Sequence, residues 1–135
     1  MSLFFHTLSE LKPEDHICFF YRSEEEHRDV LSIYLREGLE RNEKIIYILD
    51  YHDPETICRY LSEAGFQAEH YMDTGQLLFL FADESYLRPG YFNPSSMIAL
   101  IRAEGQRASR QGFPAVRIAS EMTWVLMGRT GSERL

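Results

Sequence analysis

No apolar run in the sequence approaches the ~18 residues needed to cross a bilayer. The opening Met1-Ser2-Leu3-Phe4-Phe5 also lacks the basic flank and apolar core of a secretion signal. No membrane association is expected, and the chain is assigned to the cytoplasm. Basic charge is in short supply: 14 Lys and Arg stand against 21 Asp and Glu, for a net charge of −7. Such a field repels phosphate backbones, and no basic cluster of the kind that releases counterions is present, so direct nucleic-acid binding is excluded. Cysteine is scarce. Cys18 and Cys58 form no CxxC pair and no disulfide framework, which points to reduced thiols.

What remains is 135 residues with 44% hydrophobic content, enough for one core, and the whole of 1–135 reads as a single domain. His16-Ile17-Cys18-Phe19-Phe20-Tyr21 is short, apolar and aromatic and predicts a first buried strand. Ser23 followed by Glu24, Glu25 and Glu26 predicts a capped helix start, and Val30, Leu31, Tyr34, Leu35 and Gly38 share its inner face. Lys44 to Asp50 is a continuous β-branched and aliphatic stretch, expected of a strand covered on both faces. Asp53-Pro54 restarts a helix with Ile57, Tyr60, Leu61 and Ala64 inward and Gly65 at its end. Further strands are predicted at Phe66–Tyr71 on an edge, at Gln76–Phe81 and at Pro114–Ala119. Ala82–Pro94 is expected to be a loop, Pro94–Gln111 a long helix capped by Asn93, and Glu121–Met127 a further helix before a polar tail. The alternation predicts an α/β fold: three layers, with a mainly parallel sheet of about five strands between flanking helices.

Ligands on such sheets bind beyond the carboxyl ends of the strands. That rule selects Tyr21–Glu25, Asp50–Asp53, Phe81–Tyr86 and Ser120–Trp124, and within them the candidate ligand-binding residues Tyr21, Arg22, Glu25, Asp50, Glu84, Glu121 and Trp124. Carboxylates, an arginine and aromatic rings suit a small, partly apolar organic molecule. Trp124 also reads as core filling. The segment Tyr21 to His27 has neither the glycines nor the lysine of a phosphate loop. Its three glutamates would oppose a polyphosphate by about 1 kcal/mol each if solvated and within ~4 Å. No nucleotide turnover, no cofactor and no catalytic constellation is expected. His16 and Cys18 would share one side of the first strand and are weak metal candidates, with His27 or Cys58 as further partners, but their spacing matches no zinc signature. Otherwise Cys18 reads as a small buried hydrophobe, and His6, His52 and His70 as surface or loop residues.

Several spaced motifs carry a family resemblance: Asp15-His16-Ile17-Cys18-Phe19-Phe20-Tyr21, Glu24-Glu25, Leu35-Arg36-Glu37-Gly38-Leu39, Tyr47-Ile48, Gly75-Gln76-Leu77 and Glu121-Met122-Thr123-Trp124. From about Pro13 onward the chain resembles the MEDS domain, the methanogen/methylotroph DcmR-type sensory domain. The resemblance implies a prokaryotic signal-transduction role, sensing of simple hydrocarbon derivatives, and partnership with a histidine kinase or transcriptional regulator module. The layout is also similar to the KaiC/RecA-like ATPase core, with Tyr21 to His27 in place of the P-loop and Glu121 near an acidic strand-end position. Family members are expected to continue past Trp124, which implies a chain truncated at its C-terminal end and a sheet edge that could recruit a second copy as a homodimer. Two alternatives follow from the same comparison: a pseudo-ATPase interaction module with no small ligand, and a degenerate nucleotide-binding enzyme.

Overall fold

In a computed structural model, which describes residues 18–126 together with 128, 131 and 133, the capping signals of the sequence sit at the helix starts. Helix α1 spans Glu24–Glu40, and the Ser23 side chain accepts from the Glu26 backbone N–H at 3.1 Å. The three glutamates of its first turn face the positive end of the helix dipole. Its inner face buries Val30, Leu35, Gly38 and Leu39, and also His27. Asn42 then takes a left-handed φ of 58°, and the Glu43 N–H donates to the Gly38 carbonyl at 2.9 Å, which turns the chain into the sheet.

Strand β1 (Lys44–Leu49) is buried at all six positions because it is the middle strand. β2 (Leu77–Phe81) and β3 (Val116–Ser120) pair with it in parallel on its two sides, in the order β2-β1-β3. Between them run α2 (Pro54–Glu63), capped by Asp53, a short α3 (Ala68–Asp73), a 3₁₀ turn (Ala82–Glu84) and α4 (Pro94–Arg110), capped by Asn93. A short α5 (Thr123–Leu126) follows β3. Successive β1 side chains alternate between the faces and so split the core. Ile45, Tyr47 and Leu49 pack with Leu35, Leu39, Ile57, Tyr60 and Leu61. Ile46 and Ile48 pack with Tyr86, Leu87, Phe92 and Trp124 on the other face. Gly131 closes against the second cluster at φ 91°, where a β-carbon would stand 2.3 Å from the Phe92 carbonyl oxygen, so only glycine fits.

The α/β class and the parallel sheet hold, but the described residues contain three strands, not about five. Phe66–Tyr71, expected as an edge strand, is largely helical. The stretch has no β-branched residue, and its Gln, Ala and Glu favour helix. Phe66 and Tyr71 pack ring to ring at 6.1 Å, so the apolar side chains that suggested a strand are satisfied across the start of α3. The expected first strand is also absent over Cys18–Tyr21. None of these four residues is assigned to a strand, and Phe20 is 83% exposed; Tyr21 lies against the His27 ring at 4.6 Å. Cys18 is exposed, which overturns its reading as a buried hydrophobe. His16 and Ile17 lie outside the described residues, as does His6. No helix among the described residues is long and apolar enough to cross a membrane.

Candidate functional site

Parallel pairing brings the carboxyl ends of β1 and β3 to one edge of the sheet, and the N-terminus of α1 arrives at the same edge. Glu121, the first residue after β3, is the hub. Its Oε1 accepts the backbone N–H groups of Asp50 (2.9 Å), Tyr51 (2.8 Å) and His52 (3.0 Å) in the loop after β1. Its Oε2 accepts the Tyr47 hydroxyl at 2.8 Å and faces His52 Nδ1 at 2.7 Å. Asp50 reciprocates, accepting the Trp124 backbone N–H at 2.7 Å. The two loops therefore hold one another through one carboxylate each.

His52, whose side chain is only 4% exposed, reaches across this hub with its second nitrogen, Nε2, 2.7 Å from Glu24 Oε2 at the start of α1. The His27 ring lies flat on the His52 ring, with centroids 4.1 Å apart and planes 6° from parallel. His27 Nδ1 is 3.1 Å from the Tyr60 hydroxyl, and the Tyr47 hydroxyl is 3.5 Å from Nε2. Tyr21 covers the outer side of His27, and Tyr51 stands edge-on to His52 at 5.0 Å. Beside the cluster, Glu24, Glu25, Arg28, Arg59, Tyr60 and Glu63 line an open groove of about 210 Å³.

Burial disfavours charge here, and hydrogen bonds decide which groups keep it. Burial by itself raises the Glu121 carboxyl, but its backbone donors and Tyr47 outweigh that, and the group titrates below its ordinary value. Tyr47, buried and bonded to that carboxylate, is pushed up. Burial also raises Tyr21 and Tyr60, with Glu24 adding to each. His27 is lowered to about 4, first by burial and then by His52, against the opposing pull of Glu121 and Glu24.

A pH dependence of stability follows. The unfolded chain protonates His27 near pH 6.5, whereas the folded chain holds it neutral down to about 4. This contribution is complete above pH 6.5 and is lost as the pH falls through the window, at roughly 1–2 kcal/mol after allowance for solvent at the rim. Glu121, lowered in the fold, adds a loss below its own ordinary value. Urea denaturation from pH 7.5 to 4.5 should show the decline, and His27→Asn should flatten its upper part. A curve for the unaltered chain that is level to pH 4.5 would remove this account.

The strand-end rule points to the edge where this cluster lies, and the candidates fall unevenly upon it. Glu121 and Asp50 are central, and Tyr21 lies over the cluster. Trp124 is 1% exposed, stacks on Phe92 at 5.0 Å and donates its indole N–H to the Tyr86 hydroxyl at 2.7 Å, so it supports the edge from within the core. Glu25 is exposed and 3.9 Å from Arg28; Arg22 and Glu84 are exposed, and no contact joins either to Glu121. The sequence reading named His27 only as a further partner of His16 and Cys18 on a metal, and it left His52 and Glu24 out of the candidate residues. His52 is a loop residue as expected but is not on the surface. His27 carried a usable signal, since it lies three and seven residues before Val30 and Tyr34 on the inward stripe of α1.

Among the described residues, Glu24, His27 and His52 each offer one ligand atom within 4.8 Å of the others and could hold a metal ion. The earlier candidates do not assemble: Cys18 is exposed, Cys58 sits half-buried on α2, and His16 is outside the described residues. The family model for MEDS, the MEthanogen/methylotroph, DcmR Sensory domain, matches residues 15–135. No curated protein and no solved structure matches the chain.

Proposed function

The chain belongs to the MEDS family of sensory domains, and from that membership and the strand-end cluster we propose that it senses a small organic molecule at the carboxyl edge of its sheet and does not turn it over. One observation carries the reading. Glu121, His52, His27 and Glu24 form a continuous polar chain from the loops after β1 and β3 to the start of α1, with Tyr21 and Tyr51 as its aromatic border. A ligand with one polar group and a short hydrocarbon part matches that pairing of charge and ring. Occupancy alters contacts between α1 and the strand-end loops, which gives a partner such as a histidine kinase or transcriptional regulator module a difference to read.

Thermal-shift and calorimetric screens with small alcohols, amines, halocarbons and organic acids test the reading. A binder should raise the melting temperature with concentration, and Tyr21→Ala should weaken it by at least tenfold while leaving the unliganded melting temperature close to that of the unaltered chain. Silence across the whole panel would sink the proposal. ATP with magnesium belongs in the same screen, since binding there would favour a degenerate nucleotide site. The glycine-free, glutamate-rich segment from Tyr21 to His27, at the start of α1, argues against that outcome.

A further inference from the structure

We propose that Glu24, His27 and His52 form a binding site for one divalent first-row transition metal ion of the zinc class. The donor set is two imidazole nitrogens and one carboxylate oxygen, the composition that such ions take with coordination positions left open. His52 supplies the strongest part of the argument. Glu121 receives three backbone N–H groups on one oxygen and the Tyr47 hydroxyl on the other, so it acts purely as an acceptor and takes the Nδ1 proton of His52. The opposite nitrogen, Nε2, then faces a second carboxylate, Glu24, at 2.7 Å. That spacing is a hydrogen-bond length, and a metal ion held at ~2.0–2.2 Å from both atoms takes its place once the Glu24 carboxylate, 60% exposed, draws back by a few tenths of an ångström.

The surroundings are those of a supported metal ligand. A histidine that gives one ring nitrogen to a carboxylate and the other to a metal is held in one tautomer and orientation, and Glu121 is placed to do this for His52. The Tyr60 hydroxyl holds Nδ1 of His27 in the same manner, at 3.1 Å. Each nitrogen lone pair lies in its ring plane, so coordination turns the rings away from their 6° stack. His27, with its longer contacts, is the ring that tilts. Metal binding stands independently of the sensory reading; only the step in which a ligand's polar group takes an open coordination position rests on it.

The test is titration of the chelator-treated full chain with Zn²⁺ by calorimetry and with Co²⁺ by visible absorption. One ion per chain is expected. Glu24→Gln, a change at a side chain 60% exposed that leaves the fold intact, should weaken binding by at least tenfold, as should His27→Asn, while His70→Asn, on the exposed face of α3, should not. Failure of either ion to bind at one per chain, or binding that Glu24→Gln leaves unchanged, would overturn the assignment. Adding the small molecules of the ligand screen to the Co²⁺ form separates the two ideas. A cobalt spectrum that no compound moves supports the metal site and counts against ligand binding at it, whereas a binder found in the screen by a chain that takes no metal leaves the sensory reading standing and removes the metal.

Discussion

Glu121→Ala is expected to destabilise the chain by roughly 3–4 kcal/mol and to release His52 from its place. The carboxylate accepts five hydrogen bonds, three of them from consecutive backbone N–H groups of the 50–52 loop. The Tyr51 N–H is exposed and can turn to water, so its loss costs little. Those of Asp50 and His52 and the buried Tyr47 hydroxyl cannot do so without opening the loop, and each bond to a charged acceptor contributes about 1.5–3 kcal/mol before the loop relaxes. Glu121→Gln separates the bonds from the charge. With its oxygen toward the three N–H groups, the amide N–H₂ faces His52 Nδ1 and the Tyr47 hydroxyl. The hydroxyl can rotate to accept, and His52 can shift its proton to Nε2, facing Glu24. The glutamine variant should therefore lose less than half as much stability as the alanine variant and place His52 in the opposite tautomer. Urea denaturation and nitrogen-15 shifts of the His52 ring report the two effects. An alanine variant within 1 kcal/mol of the unaltered chain would show that the loop does not depend on this carboxylate.

The capping residues Ser23, Asp53 and Asn93 could be read from the sequence because each acts over two or three residues: their side chains accept from the N–H groups of Glu26, Thr56 and Ser95. The middle strand was legible for a different reason, since burial on both faces leaves an unbroken apolar run. Phe66–Tyr71 misled because an aromatic residue at each end of a short segment fits a strand or a turn into a helix equally well, and the choice depends on packing against neighbours. The site was legible as an edge but not as a cluster. Glu121 and Asp50 stand at strand ends, where topology alone makes them candidates. His52 acquires its role only when β3 pairs beside β1 and carries Glu121 to it across 69 positions of sequence. Glu24 belongs to the run that predicts a capped helix start, and it stands in the first turn of α1; its second contact, with His52, has no local signature.

The opposite end of the sheet is fastened by a different charge pair, and Glu43→Ala is expected to cost about 3–5 kcal/mol there. Arg117 of β3 donates from Nε to Glu43 Oε1 at 2.7 Å, both side chains less than a tenth exposed. Its Nη1 donates to the Tyr34 carbonyl at 3.0 Å, and the guanidinium lies over the Tyr34 ring at 4.7 Å. Gly38 makes room for the stem, since a β-carbon there would stand 2.8 Å from Arg117 Cδ. Removing Glu43 alone leaves a guanidinium in a buried site with one carbonyl and one ring to compensate it. The double variant Glu43→Ala with Arg117→Met removes the charge as well and keeps most of the stem's packing, so it should be more stable than Glu43→Ala alone by at least 1 kcal/mol. A double variant as unstable as the sum of its parts would mean that Arg117 matters for volume and not for charge. Because this pair acts at the amino end of β1 and the Glu121 hub at its carboxyl end, either Glu43 variant, where it still folds, should retain the His52 tautomer and the metal stoichiometry of the unaltered chain. The Glu121 variants should disturb both, and that contrast distinguishes damage to the site from general loosening of the sheet.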